Sequence, residues 1–262
     1  MRAQVRYWLA PGLPPVEMIA ADYGAQRFSM HWHAGYAIGV VTRGAQRFRS
    51  EGAQWRVAAG DVITLHPGQL HDGEAATPGG WSSRMAYVPE DVLDRELGGL
   101  EGQGFGACVR HAPEVAARFL RWHELSQDTA NAGPALQAFA ELLRHLRGWL
   151  SPSTPRPVAS HRLELASAAG PVERLGTLQG SGRSRFTAWR QTKAAYGLAP
   201  RPLATHLRLI AAKRMLAEGV PIASAAAACG FHDQSHFTRQ FCAAYGMSPA
   251  QFRRAHLACA RR

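Results

Sequence analysis

The sequence predicts an α+β chain in two parts: a small antiparallel β-barrel followed by helices, then an all-α C-terminal part. Three observations carry this. Short alternating strands between turn pairs occupy residues 36–66, with a later strand at 82–88. Helical periodicity replaces them after Pro89. The positive charge gathers in the last hundred or so residues. The chain has 262 residues, a length that suits two domains, and 46% of them are hydrophobic, enough for packed cores.

The β pattern is clearest over Tyr36–Thr42, Ala45–Ser50, Gln54–Ala58 and Val62–His66. The turn pairs Arg43-Gly44, Glu51-Gly52, Gly60-Asp61 and Pro67-Gly68 separate or follow these runs. Phe48, Trp55, Val57 and Ile63 alternate with polar neighbours, as a half-buried sheet requires. Ser82–Val88 reads as a further strand. Pro113–Gln127 then carries Val115, Phe119 and Trp122 on one helical face, and Pro134–Leu150 carries Leu136, Phe139, Leu143 and Leu146. These stripes need burial. Packing on the barrel and a homodimer seam both satisfy that need.

Ser151–Ser160 reads SPSTPRPVAS, an extended linker between parts 1–150 and 161–262. The charge changes at the same place. Residues 1–150 hold fourteen Lys and Arg against fifteen Asp and Glu, a balance of −1, whereas 151–262 hold sixteen against four, a balance of +12. A part this basic attracts a polyanion, and nucleic acid is the first candidate.

The basic part contains an internal repeat. Arg190-Gln191, Ala194-Ala195-Tyr196-Gly197 and Pro200 recur as Arg239-Gln240, Ala243-Ala244-Tyr245-Gly246 and Pro249, each at an offset of 49 residues. In the second copy Ile222–Cys229 forms a short helix, Gly230 the turn, and Asp233 caps a longer helix over Gln234–Tyr245 that Gly246 ends. Short helix, tight turn, longer helix is the helix-turn-helix pattern, whose second helix enters a major groove. Gln234, Ser235, Thr238 and Arg239 are its outward positions, and all four types can bond base edges or phosphates. Phe231, Phe237 and Phe241 fill the angle between the helices. The first copy places a helix over Val172–Gln179, a turn at Gly180–Gly182 and a second helix over Arg183–Ala195. Its groove candidates are Arg183, Arg185, Phe186, Trp189 and Arg190, with core packing the alternative for the two aromatics. Between the copies, Arg201–Glu218 is a connecting helix of eighteen residues, roughly 27 Å long against the ~34 Å between successive major grooves. Two units so joined suit double-stranded DNA, because the major groove of an RNA duplex is too narrow for a helix.

The stretch GFHDQSHFTRQFCAAYGMSPAQFRRAH, from Gly230 to His256, closely resembles the signature of the AraC/XylS family of bacterial transcription regulators. The matching residues are Gly230-Phe231, Ser235-His236-Phe237, Arg239 with Phe241, Gly246 with Pro249, and Phe252-Arg253. The first copy departs from the signature at Arg190-Gln191-Thr192. The resemblance implies two units in successive major grooves, regulation of transcription and contact with RNA polymerase. Residues 31–48 and 60–74 resemble the family's common sensor, a cupin barrel, which implies a small-molecule effector bound within it and a homodimer formed by the helices that follow.

His31, His33, Tyr36 and His71 are the effector-binding candidates. His31 and His33 lie two apart and can share one side of a strand. Three histidines could hold a divalent ion, but the glutamate that metal-binding cupins add stands here as Ala37 or Ile38. The expectation is a pocket with no metal and no cofactor. The four cysteines lack metal-type spacing, and neither a nucleophile elbow nor a phosphate-binding glycine loop occurs. A non-enzymatic, cytoplasmic regulator without a membrane span or signal peptide is therefore expected. A cupin enzyme with a nucleic-acid-binding tail and a constitutive architectural DNA binder are the other readings.

Overall fold

The computed structural model describes residues 4–13, 15–100, 103–152, 162 and 185–260. Its contacts divide the chain into two compact units, Met1–Pro155 and Arg156–Arg262.

Unit 1 opens with β1 (Gln4–Leu9), β2 (Glu17–Tyr23) and β3 (Arg27–His31), followed by β4 (Tyr36–Gly44), β5 (Gln46–Ser50) and β6 (Ala53–Val57). Then come β7 (Asp61–Leu65), β8 (His71–Ala75) and β9 (Trp81–Val88). Every pairing is antiparallel. One sheet runs β1-β2-β9-β4-β7-β11, where β11 is Val109–His111, and the other runs β3-β8-β5-β6. The strands expected from Tyr36 onward are present with ends shifted by one or two residues. β1, β2, β3, β8 and the helix α1 (Glu90–Leu97) were not predicted.

The strand period of two sorts the six-stranded sheet. Met18, Ile38, Val40, Val62, Ala86 and Val88 join one apolar cluster with the helices α2 (Pro113–Leu125) and α3 (Ala132–Arg147). Gly39, on the alternate face, lies so close to β9 that a Cβ there would collide with the Met85 thioether and the Arg84 carbonyl. Phe119 and Trp122 of α2 and Leu146 of α3 are wholly buried, and Phe139 and Leu143 nearly so. The apolar stripes that suggested a dimer seam are thus consumed inside the unit, packed on the sheet and on each other. Only Leu136 of those stripes is exposed. Of the expected linker over 151–160, only the first two residues are among those described. Ser151 and Pro152 belong to a strand, β12 (Leu150–Pro152), paired with β10 (Gln103–Phe105).

The described residues of unit 2 form the helices α4 (Arg185–Tyr196), α5 (Pro200–Ala217), α6 (Ile222–Ala228), α7 (Gln234–Tyr245) and α8 (Pro249–Ala260). Pro200 stands in the first turn of α5, where its missing N–H costs no helical hydrogen bond. Leu203, Leu207, Leu209, Ala212 and Leu216 form the buried face of α5. The expected members Ile210, Ala211 and Met215 are only half-buried, and α4, α6 and α8 all pack on α5. The Arg253 guanidinium of α8 donates two hydrogen bonds, 3.1 and 2.7 Å, to the Gly219 carbonyl just past α5. Phe252 beside it is 1% exposed. The Phe-Arg pair of the sequence signature therefore closes the end of α5. The helix and turn expected over 172–182, and Arg183, lie outside the described residues.

Candidate nucleic-acid interface and effector pocket

The second helix-turn-helix unit is built by three local devices. Gly230 takes φ +72° after α6, a left-handed conformation that glycine adopts without a Cβ clash. Asp233 is extended and its carboxylate accepts the His236 backbone N–H at 2.6 Å, capping α7. Gly246 ends α7 at φ +70°. The Phe237 ring lies 5.0 Å from Phe231 and 5.5 Å from Phe241, and neither Phe237 nor Phe241 is exposed. With that face turned inward, the helix period turns Gln234, Ser235 and Arg239 outward. All three are exposed, and Thr238 is half-buried. The Asp233 carboxyl is held below the usual carboxylate range, first by the His236 N–H and then by the His232 ring.

The helix α4 of the first copy presents a different surface. Phe186 is 65% and Trp189 41% exposed, so core packing does not account for either. The Arg190 guanidinium sits 5.0 Å from the Phe186 ring centre, and the Lys193 ammonium 4.9 Å from that of Trp189. Each cation is held over an aromatic face. Thr192, at the position of Phe241 in the second copy, is buried. The side chain of Arg185 lies outside the described residues.

In unit 1 the three predicted histidines converge. His31 ends β3 and pairs directly across the strands with His71 at the start of β8. His33 follows two residues later. The ring centres lie 4.3 Å apart for His31–His71, 4.9 Å for His31–His33 and 5.1 Å for His33–His71. The Nδ1 of His31 lies 2.7 Å from the Ser29 carbonyl and that of His71 2.9 Å from the Gln69 carbonyl. Burial pushes the His31 imidazole towards its neutral form. Tyr87 of β9 stands 4.4 Å from His33, ring centre to ring centre, and pairs across the sheet with both Glu17 and Ala37. Tyr7, hydrogen-bonded to Glu17, is pushed well above the usual phenol range, by burial first and the Glu17 charge second. The sequence reading does not single out Tyr87, which meets His33 only through the register of β9, a strand distant in sequence.

Tyr36 does not join the histidines. Its ring is 3% exposed, packed 5.5 Å from His66 and 5.7 Å from Phe105 within the helix-facing apolar cluster. Position 36 lies on the sheet face opposite Ala37, so its expected effector role gives way to a core role. A groove of about 500 Å³ on the four-stranded sheet is lined by Arg27, Arg47, Arg49, Asp72 and Glu74 among others. Each of these charges has a partner: Arg27 and Arg47 share Glu74, and Arg49 pairs with Asp72 at 2.7 Å.

Among the described residues no helix is long and apolar enough to cross a membrane. Residues 13–146 match the AraC-like ligand-binding domain, and residues 179–255 match a helix-turn-helix domain. The HTH-type transcriptional regulator YbfI of Bacillus subtilis (strain 168) is 25% identical over 225 residues, covering 80% of this chain and 82% of its own. Among solved structures, an apo ToxT variant from Vibrio cholerae strain SCE256 superposes with a TM-score of 0.53 at 12% identity, over 97% of this chain and 98% of that one. ToxT from Vibrio cholerae O395 gives 0.53 at 11% identity over 97% of each. At such identities these likenesses speak for the fold alone. The chain belongs to the AraC family of helix-turn-helix transcription regulators and carries an AraC-like ligand-binding domain.

Proposed function

We propose that this protein binds specific double-stranded DNA sequences through residues 161–262 and is controlled by a small-molecule effector bound in the barrel of residues 1–150. The observation that carries the reading is the division of α7 into an inward face of Phe237 and Phe241 and an outward, capped N-terminal half bearing Gln234, Ser235 and Arg239. Those outward side chains offer amide, hydroxyl and guanidinium groups to base edges. The first unit contributes Phe186, Trp189 and Arg190 from α4, with Arg183 and Arg185 beside them in sequence. The +12 balance of residues 151–262 supplies the affinity for phosphates that base recognition builds on.

The effector pocket is lined by His31, His33 and His71, to which Tyr87 is added. The ring nitrogens and the phenol suit an effector with polar oxygen groups. A non-enzymatic role, a homodimer, contact with RNA polymerase and a cytoplasmic location belong to the same reading. They rest on the family resemblance, and the buried stripes of α2 and α3 require any dimer to use other surfaces.

Selection of genomic fragments by the purified full-length protein, followed by mobility-shift titration at two salt concentrations, tests the proposal. A small set of enriched sites sharing a motif is the expected result. Equal retention of all fragments, with affinity set only by salt, would overturn it.

A further inference from the structure

We infer that His31, His33 and His71 form a binding site for a divalent transition-metal ion of the zinc class, with an open coordination position for an oxygen donor of the effector. The inference deepens the effector reading, since it concerns the same pocket, and it rests on that reading only for the role given to the open position.

The geometry has three parts. One candidate nitrogen from each ring lies within 4.8 Å of the others. Three nitrogens around a tetrahedral ion at ~2.1 Å stand about 3.4 Å apart, a closure within reach of small side-chain rotations. The second part is orientation. A carbonyl oxygen can only accept, so the Nδ1 atoms facing the Ser29 and Gln69 carbonyls carry the protons of the neutral rings. The Nε2 of His31 and of His71 is then the basic nitrogen and the one a metal would take. Anchoring the far N–H of a ligating histidine on a backbone carbonyl is how metal sites fix tautomer and ring direction. The third part is rigidity. His31 and His71 are cross-strand partners, and the β3–β8 register shifts between Phe28 and His31, a local irregularity of the kind that re-aims side chains.

The donor set selects the ion. Three imidazoles without a carboxylate suit zinc, nickel, copper or iron rather than magnesium or calcium, which take oxygen ligands. Three neutral ligands leave the ion's double charge uncompensated and at least one position unfilled. An anionic or hydroxylated effector meets both needs, and Tyr87, packed on His33, would border its approach. The absent cupin glutamate had argued against a metal in the sequence. In the structure Ala37 pairs with Tyr87, and the short side chain there leaves the fourth position to the effector.

The test uses untagged full-length protein, stripped with a chelator and free of DNA and effector. Zinc is titrated by calorimetry and cobalt(II) by visible absorption. One ion per chain is expected, with the strong d–d bands of a four- or five-coordinate site and displacement of cobalt by zinc. His31→Ala and His71→Ala should lose the bands. His111→Ala should keep them, since His111 is exposed and paired with Asp61 elsewhere in the unit. Circular dichroism of each variant separates lost ligation from lost fold, and His71→Gln serves where alanine unfolds the barrel. A wild-type chain that binds no cobalt, or folded His31 and His71 variants that bind it as wild type does, would overturn the inference. Neither result touches DNA selection, so failure here and failure of the proposed function are told apart.

Discussion

The Asp233 carboxylate accepts the backbone N–H of His236 at 2.6 Å, and this one bond fixes where the outward half of α7 begins. Asp233→Ala leaves that N–H to water and frays the first turn, which holds Gln234 and Ser235. The expected outcome is a lower unfolding midpoint and weaker operator binding, with D233N, which keeps an accepting oxygen, restoring most of both. The pH dependence has a definite sign. The carboxyl titrates below its ordinary value in the folded state, so its contribution is complete above about pH 4 and is lost as the pH falls through the folded value. Thermal melts of wild type and Asp233→Ala at neutral pH and near pH 3 check it: the difference should shrink in acid.

Phe237 is unexposed and in ring contact with both Phe231 and Phe241. Phe237→Ala removes the keystone of the angle between α6 and α7 and should cost about 3–5 kcal/mol, the range for large-to-small changes at aromatic core positions. Urea denaturation of the full chain, followed by a helical signal, measures it. Phe186→Ala, at an aromatic exposed on α4, should change stability by less than ~0.5 kcal/mol.

The second helix-turn-helix was legible almost residue by residue. Its capping aspartate, turn glycine and three phenylalanines act through neighbours in sequence, so local pattern carries them. The barrel was legible only from Tyr36 onward. β2 lacks a strict alternation, because Met18 and Ile19 are both buried, one facing the helices and one the other way. The histidine cluster was half legible. The His31–His33 spacing shows in the chain, but the pairing of His31 with His71 is a matter of register between distant strands. Tyr36 misled for the same reason, since nothing local shows which face of β4 meets the helices.

His123 offers a second pH test, in unit 1. It is buried at the end of α2, with Nε2 donating to the Ile19 carbonyl at 3.0 Å. Burial pulls its imidazole down to about 4, partly offset by that hydrogen bond, against about 6.5 for a free side chain. Between these values the unfolded chain binds the proton and the folded chain does not. Stability is therefore complete above about pH 6.5 and falls as the pH drops towards 4, by up to roughly 3 kcal/mol. Urea midpoints from pH 7 to pH 4.5 should show this slope. His123→Gln, which can still donate to Ile19 but does not titrate, should flatten it, and an unchanged slope in that variant would assign the effect elsewhere.

Arg239 and Lys193 separate base reading from phosphate binding. Arg239 is exposed on the outward half of α7, where a guanidinium can bond a guanine edge in two places. Arg239→Ala should weaken binding to the selected site by roughly 1–3 kcal/mol and relax its preference at one position, while binding to random DNA changes little. Lys193 is held over the Trp189 ring, an exposed cation on a helix whose apolar groups also face solvent. Lys193→Ala should weaken specific and random binding alike and reduce the slope of log affinity against log salt by about 1. Mobility-shift titrations over a range of salt, with both DNAs and both variants, give all four numbers. If Arg239→Ala binds the selected site as wild type does, the groove-facing assignment of α7 is wrong, whatever Lys193 does.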